Sequence, residues 1–123
     1  MTSPETESPS TSHPISDAEY RRLSDETLSR IEAIVDRWLQ DDVIDVDSHR
    51  TGGLLELQFP DGGKLVINTQ PPLQELWLAA RSGGYHYRPA GGRWVDTRDG
   101  SDFHATLSRC ASEQAGRPLR FEP

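Results

Sequence analysis

Apolar residues recur along this chain first with helical spacing and then with the spacing of strands, and the change falls near Asp41. With Ile31 set at zero and 100° per residue, Tyr20, Leu23, Ser24, Thr27, Leu28, Ile31, Ile34, Val35 and Trp38 fall within about 80° of one direction. This predicts a helix from Ser16 onward with one buried stripe. Ser16 is placed to cap it, Glu19 follows at capping-box spacing, and Ile15 stands where a hydrophobic staple would. On the same wheel Asp25, Glu32 and Asp36 lie at roughly 100° to 140°, a carboxylate row beside the stripe.

Beyond Asp41 the period is two. Ile44 and Val46 alternate with Asp45 and Asp47, Leu55, Leu57 and Phe59 with Leu54, Glu56 and Gln58, and Leu65 and Ile67 with Lys64, Val66 and Asn68. Three half-buried strands are expected there, and further strands near Glu75 to Ala80, Tyr85 to Arg88 and Arg93 to Asp96. The turns between them are short: Thr51-Gly52-Gly53, Pro60-Asp61-Gly62-Gly63, Pro71-Pro72, Gly83-Gly84, Ala90-Gly91-Gly92 and Arg98-Asp99-Gly100. Connections of this length join antiparallel neighbours. Asp102 can cap a closing helix that carries Phe103, Leu107, Cys110, Ala111 and Gln114 at helical spacing, ended by Gly116 and Pro118. The expected fold class is α+β, a two-layer sandwich: an antiparallel sheet of five or six strands covered on one face by an N-terminal and a C-terminal helix.

Composition narrows the function classes. At 123 residues, 33% of them apolar, the chain suits one domain with a modest core, placed at residues 16–123 behind a polar tail at 1–15. The tail has neither the basic nor the apolar segment of a secretory signal, and Cys110 alone cannot form an internal disulfide, so the expected location is the cytoplasm. No apolar run is long enough for a membrane span. The net charge of -7 disfavours nucleic acid. That charge is also lopsided: residues 1–48 hold 12 acids and 4 Arg, a net -8, against 8 acids and 9 bases in residues 49–123. An acidic surface facing cations or a basic partner is one reading, and a solvated helix face is the commoner one.

No standard catalytic arrangement is present. No glycine loop runs into Lys-Ser/Thr, no Cys-x-x-Cys or His-x-x-x-His pair exists, and Cys110 falls on the apolar stripe as a structural thiol. What remains is the acidic zone of Asp25, Glu32, Asp36, Asp41, Asp42, Asp45 and Asp47. Asp45 and Asp47 are expected on the outer face of the first strand and Asp41 and Asp42 in the turn before it, so that all could meet at one edge. Carboxylates without a wrapping loop suit weakly held, hydrated hard cations such as Ca²⁺, Mg²⁺, Mn²⁺ or iron. Trp77 is the second unusual residue. The alternation of Leu76 and Leu78 into the core turns it onto the solvent face, with Asn68 and Gln70 beside it, either as an interface anchor or as cross-strand packing. Trp94 and Trp38 are expected in the core.

The run Val66-Ile67-Asn68-Thr69-Gln70-Pro71-Pro72-Leu73-Gln74-Glu75-Leu76-Trp77-Leu78-Ala79, then Gly83-Gly84-Tyr85-His86-Tyr87 and Trp94 before Asp99-Gly100, resembles the frataxin family in its bacterial, CyaY-type form. The similarity runs from about Ser16 to Ala115. The resemblance implies the same sandwich, weak binding of ferrous or ferric iron, no organic cofactor, and a role in iron-sulfur cluster assembly beside the cysteine desulfurase and the scaffold protein. Carried over by position, it implies Glu32, Asp36, Asp41, Asp45 and Asp47 as an acidic ridge with Asp42 a local addition, and Asn68, Gln70 and Trp77 as the partner-binding face. Ala33, Arg37, Leu39 and Val43 stand where relatives often carry acids, so a thinner ridge and fewer ions are expected, and Glu75 replaces a typical glutamine near Trp77, which is expected to alter how the sheet face meets its partner. The expected role is a non-catalytic regulator or adaptor, monomeric, with iron-dependent oligomers an open alternative. An iron chaperone, a storage protein or a ferroxidase is a second reading, and a metal-independent binding module a third.

Overall fold

The computed structural model describes residues 15–123. The polar tail expected at 1–15 therefore lies outside the described residues except for Ile15. That residue belongs to the fold, because its N–H donates to Gln74 Oε1 at 3.2 Å and its carbonyl accepts from Gln74 Nε2 at 2.6 Å.

Helix α1 spans Asp17–Gln40. Ser16 caps it, its Oγ accepting from the Glu19 N–H at 3.0 Å, and the face it buries carries Tyr20, Ser24, Thr27, Leu28, Ile31, Val35 and Trp38. The helix closes through bonds from the Asp41, Asp42 and Val43 N–H groups to the carbonyls of Arg37, Leu39 and Trp38. Asp42 makes this possible by adopting φ 57°, the left-handed conformation that helix ends usually give to glycine.

Six strands follow: β1 Asp47–Thr51, β2 Leu54–Gln58, β3 Lys64–Gln70, β4 Glu75–Ala80, β5 Gly83–Ala90 and β6 Arg93–Asp96. They form one antiparallel meander in the order β1-β2-β3-β4-β5-β6, with a 3-10 turn at Pro71–Leu73 between β3 and β4. The β1–β2 hairpin needs both its glycines. Gly52 sits at φ 59°, and a Cβ on Gly53 would stand 2.0 Å from Thr69 Oγ1. Helix α2, Phe103–Ala115, is capped by Asp102, whose carboxylate accepts from the Ala105 N–H at 3.1 Å, and ends at Gly116 in the left-handed region.

Both helices cover the same sheet face. Leu55, Leu57, Leu65, Ile67, Leu76, Leu78, Tyr87 and Trp94 point inward from the strands and meet Leu28, Ile31 and Val35 of α1 and Phe103, Leu107 and Cys110 of α2 in one core cluster. Trp94 is buried, donating from Nε1 to Thr27 Oγ1 at 2.9 Å, and Trp38 packs on Phe121 at 4.8 Å between ring centroids. The expected sandwich is thus observed with six strands.

One expected strand begins later than its alternation suggested. Ile44 and Val46 do turn toward the core, but the ladder starts only at Asp47, which pairs with Gln58. The reason lies in β2. Its next residues, Phe59 and Pro60, enter the hairpin to β3, where the Phe59 N–H donates to the Gly63 carbonyl, and Pro60 has no N–H. Nothing is left to pair with Val46. Asp45 consequently lies in the lead-in and only Asp47 in the strand, although both are exposed on either side of the buried Val46.

Candidate functional site: an acidic rim and an aromatic sheet face

The acidic residues divide by environment. Asp36, Asp41, Asp42, Asp45 and Asp47 are exposed along the last turn of α1, the connection after it and the first position of β1. They make no ion pair among the described residues. Asp41 and Asp42 stand at the C-terminal end of α1, where the helix dipole disfavours negative charge by a few tenths of a kcal/mol each, up to about 1. Glu32 differs. It is half-buried and pairs with Arg50 Nη1 at 3.1 Å, while Arg50 Nη2 takes Asp25 Oδ1 at 2.5 Å.

Arg50 is the residue that sequence reasoning missed. Its signal was present as parity: if Val46 points inward, so do Ser48 and Arg50, and the register confirms it by placing Arg50 opposite the core residue Leu55. From the edge strand that direction leads to the flank of α1.

The expected convergence of carboxylates on one edge does not produce a ligand cage. Among the described residues no group of three or more His, Cys, Asp or Glu side chains stands close enough to hold one ion. Separate exposed carboxylates suit a hydrated hard cation that keeps most of its waters, and not an enclosed ion.

The second feature is the outer sheet face. Asn68, Trp77 and His86 occupy facing positions across β3, β4 and β5. The Trp77 ring stacks on His86 at 4.1 Å with 6° between planes, and its Nε1 donates to Glu75 Oε1 at 2.8 Å. Glu75 Oε1 also lies 3.9 Å from His86 Nδ1. Trp77 is half-buried against these neighbours, not projecting freely. Gln70 stands opposite Glu75, and its backbone N–H donates to Tyr20 Oη at 3.1 Å, which in turn donates to the Glu75 carbonyl at 2.6 Å. These backbone ties hold the 3-10 turn and the start of β4 against α1.

Fold and site together define a small α+β sandwich with an acidic rim at one helix end and an aromatic patch on its open sheet face. A frataxin-like domain model matches residues 13–117, and the chain belongs to the frataxin-like family. Among its relatives is an iron-sulfur cluster assembly protein CyaY from Polaromonas sp., 47% identical over 107 residues that cover 87% of this chain and 92% of that protein. The protein of the same name from Variovorax paradoxus is 49% identical over 107 residues, covering 87% and 97%. Of solved structures, frataxin from Psychromonas ingrahamii is similar at a TM-score of 0.77 with 34% identity, covering 89% of this chain and all of that one. A trimeric frataxin from the yeast Saccharomyces cerevisiae, complexed with ferrous iron, is similar at 0.65 with 26% identity, covering 77% and 87%. Among the described residues no helix is long and apolar enough to cross a membrane.

Proposed function

We propose that this chain is an iron-binding protein of iron-sulfur cluster assembly that acts without catalysing a reaction of its own, as a regulator or adaptor of the cysteine desulfurase and its scaffold protein. The names of its relatives support the process, and the yeast frataxin complexed with ferrous iron supports the cargo. One observation carries the assignment to a surface. Among the described residues five exposed carboxylates are kept unpaired around the C-terminal end of α1, where the dipole opposes Asp41 and Asp42 and the left-handed backbone adds a cost at Asp42. Local stability does not explain such placement, whereas attraction of cations or of a basic protein surface does.

In this reading the rim steers the partner by charge, and bound iron changes the charge presented. The face of Asn68, Gln70 and Trp77 supplies the desolvated contact, with Trp77 as its anchor. Charge reversal at Asp36→Lys with Asp41→Lys tests the rim, since both positions are exposed and a cation suits the end of α1. Desulfurase binding should weaken and lose part of its salt dependence. Unchanged affinity with an unchanged salt slope would remove the rim from the docking surface.

A further inference from the structure

The Arg50 guanidinium sits in a groove between α1 and the β1–β2 turn, lined also by Asp25, Glu32, Gly52 and Gly53. Four of its five N–H directions are taken. Nε donates to the Gly52 carbonyl at 3.2 Å, Nη1 to Ser29 Oγ and Glu32 Oε1, each at 3.1 Å, and Nη2 to Asp25 Oδ1. The three α1 acceptors stand at positions i, i+4 and i+7, a single stripe on the helix, and Arg50 reaches them from a side chain only 21% exposed. The hairpin supplies the aim: the left-handed Gly52 turns its carbonyl onto Nε, and the close packing of Gly53 on Thr69 fixes the loop.

We infer that Arg50 is a built-in counter-ion that closes the upper part of the carboxylate row, Asp25 and Glu32, to external cations and confines them to the rim from Asp36 to Asp47. The inference rests on the cation-binding reading above. A guanidinium keeps its proton at any physiological pH, so the occupant is permanent. A hydrated dication entering between Asp25 and Glu32 would have to displace a tethered cation already bonded to both, and would leave a partly buried guanidinium with only the neutral Ser29 and Gly52 oxygens as partners. The charges agree with this division. Asp25, Glu32 and Arg50 sum to -1, while the five rim carboxylates keep all of theirs. Arg50 thereby sets which part of the row is selective for cargo, and Glu32 becomes a structural partner of Arg50 instead of a ligand.

A mutant cycle read by the electron paramagnetic resonance of free Mn²⁺ tests this on the full chain. The proteins are wild type, Arg50→Gln, Asp25→Asn with Glu32→Gln, and all three changes together. The two acid replacements should alter Mn²⁺ binding less than about twofold beside Arg50. Arg50→Gln should strengthen binding or add an equivalent, by about fivefold, and the triple variant should lose that gain. If Gln at position 50 unfolds the hairpin in a thermal melt, Arg50→Met, which keeps the aliphatic stem, serves instead. Equal weakening by the acid replacements with and without Arg50 would show that Asp25 and Glu32 already bind cations, overturning the inference while leaving the rim reading intact. Absence of Mn²⁺ binding in all four proteins would overturn both.

Discussion

The Trp77 indole lies flat on the His86 imidazole, and the pair occupies directly opposed positions of β4 and β5 on the face that the helices leave open. Glu75, two residues before Trp77 on the same strand, accepts the indole N–H. With that N–H already bonded, Trp77 offers a partner its flat apolar surface. The stack is worth about 1 kcal/mol and part of the ring is already solvated. Trp77→Ala should therefore cost only about 1–2 kcal/mol in urea unfolding, whereas Trp94→Ala, in the core, should cost about 3–5 kcal/mol. A folded Trp77→Ala protein should lose desulfurase affinity. Retained affinity in that variant would take Trp77 out of the interface.

Asp42 ties helix termination to the rim. As a left-handed, non-glycine residue at the negative end of α1 it carries two local penalties. Asp42→Gly should raise stability by roughly 1 kcal/mol and weaken Mn²⁺ binding at the same time. A melting temperature that falls would mean that the Asp42 side chain contributes something to the fold beyond its backbone conformation.

Much of this molecule is legible from spacing alone. The α1 stripe, five of the six strands and α2 with its Asp102 cap follow from period and turn residues, because each is decided by local alternation and by which side chains tolerate water. The misread parts depend on partners. The start of β1 is set by where β2 runs out at Phe59-Pro60, a property of a different segment. Strand β5 extends to Ala90 although Pro89 looks like a turn residue, because beyond Tyr87 it pairs only with β6 and needs no N–H toward β4. Within the carboxylate row, Asp25 and Glu32 face Arg50, which arrives from 18 residues beyond Glu32 and from another layer, so no local spacing reveals the pairing.

Tyr87 presents an unusual case in the core. It is fully buried against Phe103, and its hydroxyl has no hydrogen-bond partner of ordinary geometry among the described residues. Burial pushes its pKa up to about 12, offset in part by the neighbouring Thr106 hydroxyl. An unpaired buried hydroxyl costs about 1–3 kcal/mol, so Tyr87→Phe should be neutral or stabilising. A loss above about 1 kcal/mol in equilibrium unfolding would reveal a bonded hydroxyl, for instance through an internal water.

The start of α2 should make stability fall in two stages as pH is lowered. His104 is held below its ordinary value of 6.5 by burial first, then by Arg30 and Arg93, with Asp102 acting in the opposite sense. The unfolded chain therefore binds that proton more readily, and stability is lost as pH drops below about 6.5. Asp102 behaves differently in cause but alike in sign. Burial raises its pKa, but hydrogen bonds from Arg93 at 2.7 Å and from the Ala105 N–H bring it below 3.8, so its contribution is present above about pH 4 and disappears as pH falls through the folded value. His104→Gln should flatten the unfolding free energy between pH 7 and about pH 5 and leave the lower stage alone. Asp102→Asn keeps a capping oxygen while removing the charge, and should shrink the lower stage without abolishing it, because Asp61 and Asp99 are also depressed, first by bonds from the Gly63 N–H and from the Ser101 hydroxyl respectively. Urea titrations at four pH values would resolve the two. An upper stage that survives in His104→Gln would place the titrating group elsewhere.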